Sequence, residues 1–275
     1  DQGGAQNYGS AFLPATFQGT PISSTGGGVP NLSNRHLTPR DQRRQVNFIQ
    51  QLNGGLRLHD PDNPEFEGAA ESLELAFRMQ TSVPGVLSID REPANVLASY
   101  GIGRGRSDRF GRQCLLARRL AEKGVRFIQL THRGWDQHNN LRQRLRDHAA
   151  DIDQPIAALL ADLKARDLLR DTLVIWGGEF GRSPHDDKGD GNGRGHNAQG
   201  YTMWLAGGGV RGGLRYGATD ETGREAVVNK TSMPDLHATI LHLLGLDHED
   251  LTYPYAGRDF RLTDVSGTVA KQILS

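Results

Sequence analysis

The segment Thr131-His132-Arg133-Gly134-Trp135-Asp136-Gln137-His138 sets a carboxylate and an imidazole two residues apart. In extended backbone, residues i and i+2 face the same side, so Asp136 and His138 converge on one point. That pairing suits a divalent cation such as zinc or manganese. The plainer reading is a surface loop with a solvated Asp136 and a helix-capping role for Asn139 or Asn140. Further along, Gly177-Gly178-Glu179-Phe180-Gly181-Arg182-Ser183-Pro184 brackets an acid with glycines, which let backbone bend tightly and approach a ligand. Glu179 is a candidate metal ligand or general base. Arg182 is a candidate for bidentate binding of an anionic oxygen. The alternative is that these two side chains pair with each other.

Residues 185–197 read as a polar loop carrying His185 and His196. His196 is the better ligand candidate because it lies just ahead of a predicted strand. Asp186, Asp187, Asp190 and Asn192 superficially resemble a calcium loop. They lack the terminal bidentate Glu and the flanking helices of an EF-hand. Gly207-Gly208-Gly209 lacks the Lys-Ser/Thr ending of a nucleotide P-loop and reads as turn glycines. His237 and His242, five apart on a predicted helix, do not share a face and suit packing or surface roles. No Gly-x-Ser-x-Gly elbow anchors a serine-esterase reading.

These residues need elements to position them. Residues 1–35 are rich in Gly, Ser, Asn and Pro and read as an extended arm. Thr38-Pro39 predicts a helix start, with the helix running to about Leu52. Phe66, Ala69, Ala70, Leu73, Ala76 and Phe77 recur at helical spacing over 64–80. From Gly111 a helix runs to a stop at Gly124. Val125–Leu130 predicts a strand, 141–167 a long helix with one apolar face, and Thr172–Trp176 a strand covered on both faces. Tyr201–Ala206 predicts a third strand and Pro234–Leu244 a last helix. This order predicts an α/β, three-layer sandwich with a mostly parallel sheet. Such sheets bind ligands beyond the carboxyl ends of their strands, which is where the residues after Leu130 and Trp176 fall.

Composition bounds the reading. The 275 residues carry 32 Lys plus Arg against 32 Asp plus Glu, so no overall field favours nucleic acid or an anionic membrane. No segment reaches the roughly 18 apolar residues of a membrane span. The single cysteine, Cys114, sits in an apolar helical stretch and reads as packing. The chain starts at Asp1, shows no signal peptide, and is expected to be a processed or incomplete product.

Several runs resemble a known family. They are Trp-Gly-Gly-Glu-Phe-Gly-Arg-Ser-Pro at 176–184, Gly-Arg-Gly-His-Asn at 193–197, and Leu-Ala-Gly-Gly-Gly-Val-Arg-Gly-Gly at 205–213. Two more are Asp-Leu-His-Ala-Thr-Ile-Leu-His-Leu-Leu-Gly-Leu-Asp-His at 235–248 and Gly-Arg-Asp-Phe-Arg-Leu-Thr-Asp at 257–264. Together they resemble the bacterial proteins grouped as domain of unknown function 1501, over nearly all of 1–275. That family is sulfatase-like and similar to the alkaline phosphatase superfamily. The resemblance implies an alkaline-phosphatase-like fold, incomplete at the N-terminus, with residues 1–105 as arm and helical insertion or lid and 106–275 as the C-terminal α/β part. It implies a metal site of Asp136, His138, Glu179 and His196, and zinc, manganese or calcium as cofactor. Glu179 and Arg182 would serve catalysis, with Arg182, Arg194 and His132 binding substrate.

The implied activity is hydrolysis of sulfate or phosphate esters, of small molecules or carbohydrates, in the periplasm or outside the cell. Two departures stand against it. Relatives carry Asp-His where this chain has Gly195-His196, and the superfamily's nucleophile belongs to a strand expected upstream of Asp1. The rival readings are a catalytically inactive metal-, anion- or glycan-binding module and a structural interaction protein. Oligomeric state is not readable from the sequence.

Overall fold

The computed structural model describes residues 8–11, 13, 14, 17–23, 36–57, 73, 74, 77, 78, 80, 83–186 and 191–275. The chain divides into two compact units, Asp1–Leu97 and Ala98–Ser275. In the first, α1 spans Pro39–Arg57. Thr38 caps it as predicted: its Oγ1 accepts the Asp41 amide at 3.2 Å and donates to the Asp41 carboxylate at 2.7 Å. Arg43 of α1 meets Glu74 at 2.6 Å and lies over the Phe77 ring at 3.8 Å. Leu73 and Phe77 are helical as the spacing predicts. Phe66, Ala69, Ala70 and Ala76 lie outside the described residues, as do Asp187 and Asp190 of the calcium-like run.

A short helix, α2 (Ala94–Ser99), spans the boundary between the two units. The second unit is built on α3 (Asp108–Glu122) packed against α4 (Leu141–Ala165). Their facing sides bury Phe110, Cys114, Leu115, Leu116, Ile152, Leu159 and Leu163. Burial pushes the Cys114 thiol up to about 12, so it stays protonated and packs as the sequence suggests. A buried polar clasp crosses the pair. Arg118 meets Glu122 at 2.8 Å and Asp162 at 3.0 Å, and Tyr100 donates to Asp162 at 2.9 Å. Gly124, with φ +77°, ends α3 where predicted.

Among the described residues the predicted parallel sheet is not there. Instead they form four separate two-stranded antiparallel ribbons: β1 (Val174–Trp176) with β4 (Trp204–Ala206), β2 (Gly181–Arg182) with β3 (His196–Asn197), β5 (Ala218–Thr219) with β6 (Ala226–Val228), and β7 (Thr252–Tyr255) with β8 (Arg258–Arg261). The three-layer, alkaline-phosphatase-like sandwich is therefore corrected to a helical pair with short hairpins. The reason lies in the connections. A parallel pair needs a covered crossover between its strands. Among the described residues only loop and the β2–β3 ribbon separate β1 from β4, so the chain returns antiparallel. Val125–Leu130, the strand that would have paired in parallel through α4, takes no strand partner among the described residues, and Phe127 is 76% exposed.

The final helix, α5 (Met233–Leu243), starts with a capping box of Ser232 and Asp235 and carries Pro in its first turn. Among the described residues no helix is long and apolar enough to cross a membrane.

Candidate metal centre

The loop before α4 and the β2–β3 ribbon bring the candidate residues together. Register pairs Arg182 with His196, so both project from one short ribbon. The loop crossing to it is tied by Arg194 N donating to the Gln137 carbonyl at 3.2 Å and Leu141 N donating to the Asn192 carbonyl at 3.0 Å. Gly193 sits flush on the His138 backbone, where an added Cβ would collide with the His138 carbonyl. Ser183 clasps the ribbon's open end: it accepts the Gly195 amide at 3.0 Å and its own amide donates to the Gly195 carbonyl at 3.0 Å.

Three ligand-type atoms converge as a result. His138 Nε2 and His196 Nε2 each lie 3.0 Å from Asp136 Oδ1, and the two nitrogens lie 3.2 Å apart. A tetrahedral zinc with bonds of about 2.0–2.1 Å sets its ligand atoms about 3.3 Å apart, so the triangle fits such an ion with only a slight spread. The side chains are 38–60% exposed, which leaves the fourth position open to solvent. Hydrogen bonds from His196 and Arg182 hold the Asp136 carboxyl down to about 2, so it is ionised and ligand-ready at neutral pH. The Phe180 ring backs His196, with centroids 4.2 Å apart.

Other expected residues take different places. Arg182 donates to Asp136 Oδ1 at 2.9 Å and to the Trp135 carbonyl at 2.8 Å, so its role here is to orient the acid and its loop. Glu179 is exposed between β1 and β2 and lies outside the three-atom group. Arg194 lines a cavity beside the group.

His132 belongs to a second cluster with His148 and Asp151 of α4, which sequence reasoning missed. The i, i+3 spacing of His148 and Asp151 on one helix face was the available signal. This cluster has metal-type side chains but the wrong hydrogen bonds. The Trp135 indole, a donor only, donates to His132 Nδ1 at 3.0 Å. Neutral His132 then carries its proton on Nε2, which faces Asp151 at 3.5 Å. A metal on Nε2 would need that proton moved to Nδ1, where the indole blocks it. Arg106 also donates to Asp151 at 2.8 Å. The cluster is thus a hydrogen-bonded brace for Trp135, the neighbour of Asp136. Gly134, at φ +97° with the His148 ring against it, lets the loop pass this brace.

Comparison with protein families matches residues 1–274 to the protein of unknown function DUF1501. The chain belongs to the DUF1501 family. Comparison with curated proteins and with solved structures gave no match. The DUF1501 chain therefore takes its functional reading from its own geometry and from the resemblance of its motifs.

Proposed function

We propose that this DUF1501 chain carries the metal site of a sulfatase-like hydrolase acting on sulfate or phosphate esters. The observation that carries the proposal is the convergence of Asp136, His138 and His196 with an open fourth position. Three protein ligands and one free position is the pattern of catalytic rather than structural sites. Two imidazoles and one carboxylate suit zinc or manganese better than calcium, which prefers an all-oxygen shell. A divalent ion held there would polarise an ester oxygen and lower the pKa of a nucleophile. Asp136 supplies a carboxylate kept ionised by its neighbours, and Arg182 keeps it aimed at the two imidazoles. Arg194, which lines a cavity beside the group, supplies a guanidinium for an anionic group of the substrate.

One observation favours a second reading, a binding module without turnover. Gly195 stands where the family pattern expects a carboxylate, and only its backbone is used, against Ser183.

Elemental analysis of the wild type beside Asp136→Ala, His196→Ala and Asp151→Ala tests the site. About one metal per chain is expected in the wild type and in Asp151→Ala, with little in the other two. Equal metal in wild type, Asp136→Ala and His196→Ala would show that the site is elsewhere. Turnover of aryl sulfate and aryl phosphate by the metal-loaded chain then separates the enzyme from the binding module.

A further inference from the structure

A cavity of about 590 Å³ opens beside the metal centre, lined by Leu141, Arg142, Gly191, Asn192 and Arg194. It adjoins the ligands through the chain itself. Arg194 lies two residues before His196, and Leu141 three after His138, spans of at most about 8 and 11 Å. Among the described residues that line it, the charge is one-sided. Several arginines elsewhere in this unit meet carboxylates: Arg106, Arg118, Arg166 and Arg182 do so at 2.7–2.9 Å. Among the described residues Arg142 and Arg194 meet none, and Arg194 spends one N–H on the Gly193 carbonyl at 2.6 Å. The first turn of α4 holds no acid to neutralise Arg142. Asp186, which accepts the Gly191 amide at 2.5 Å, is not among the lining residues. Arg146, one turn along the same face of α4, is exposed and adds positive charge beyond the cavity.

Two guanidiniums lining one cavity, with no carboxylate partner among the described residues, have many N–H donors to offer and need acceptors. Guanidinium matches the oxygens of sulfate and phosphate in a fork geometry. We propose that this cavity is a second anion subsite, holding a sulfate or phosphate group of the substrate other than the one at the metal centre. Resting on the ester-hydrolase reading, it narrows the substrate class to molecules with at least two such groups, as in a multiply sulfated or phosphorylated sugar. The subsite holds the second group while the first lies at Asp136, His138 and His196.

The test is calorimetric titration of the chain, stripped of metal by chelation, with inorganic sulfate and separately with inorganic phosphate. Wild type is compared with Arg142→Ala, Arg194→Ala and Arg146→Ala. Each cavity substitution is expected to weaken binding about tenfold or more, as for loss of a charge-assisted hydrogen bond, while Arg146→Ala changes little. The stronger of the two isotherms identifies the group the subsite takes. An isotherm unchanged in Arg142→Ala and Arg194→Ala, or weakened equally in Arg146→Ala, overturns the subsite. Ester turnover by the metal-loaded wild type is scored separately. Its absence strikes the hydrolase reading, and the isotherm alone decides the anion subsite.

Discussion

A single hydrogen bond separates the two histidine clusters at the residue scale. His138 and His196 turn Nε2 toward a shared carboxylate oxygen, whereas His132 gives its Nδ1 to the Trp135 indole. Nitrogen NMR of the neutral form is expected to show His132 as the Nε2–H tautomer; an Nδ1–H signal would refute the brace. The pKa of His132 lies below its ordinary value of 6.5, because burial outweighs the pull of Asp151 and His148 adds repulsion. The sign follows from linkage. The folded state binds fewer protons at this residue than the unfolded state between the lowered pKa and 6.5. Stability from His132 is therefore complete above 6.5 and is lost as pH falls through that window. A chemical-denaturation series is expected to show stability rising with pH there, with a shallower rise in His132→Gln. An identical slope in the variant would assign the dependence elsewhere.

Elements matter through how closely they approach. The β2–β3 ribbon delivers His196 only because Gly193 lies flat against the backbone of His138. Gly193→Ala forces a Cβ into a carbonyl that has no room to give. Metal affinity is expected to fall by about tenfold or more, and stability by about 1–3 kcal/mol, as for other overpacked sites. Titration with zinc and a denaturant series measure the two. Wild-type affinity in this variant would mean the loop contact does not position the ligands. Farther back, Trp135 meets Trp176 edge-on at 6.3 Å, and Trp176 stacks on Trp204 across the β1–β4 pair at 6.4 Å. The loop of Asp136 and His138 is thereby set against the ladder that the apolar strands β1 and β4 form.

For the whole molecule, the candidate ligands close a long loop. His138 and His196 are 58 residues apart in the chain, so an ion held between them would bind the folded state far better than the unfolded one. A metal at a hundredfold excess over its Kd adds about 2.7 kcal/mol, which for a domain of this size raises Tm by roughly 5–10 °C. Thermal melts with zinc or manganese, with and without chelator, read this directly. Asp136→Ala is expected to lose the shift, and a shift of equal size in that variant would place the stabilising ion elsewhere.

Local chemistry was what the sequence by itself determined. Thr38 as cap, Gly124 as stop, and the apolar stripes of α3 and α4 follow from interactions within a few residues. The i, i+2 spacing of Asp136 and His138 marked two of the three residues of the candidate centre, and the family motifs pointed to His196. What only the tertiary structure decided was pairing at a distance. The apolar runs at 174–176 and 204–206 look alike whether the sheet is parallel or antiparallel, because period and composition do not encode direction. Arg182 as the orienter of Asp136, His132 as a brace and Arg142 beside Arg194 all depend on segments tens of residues apart meeting in space. Asp136 and His138 form the core of the candidate metal centre. The third group beside them is the imidazole of His196, while Glu179 stays exposed outside the group.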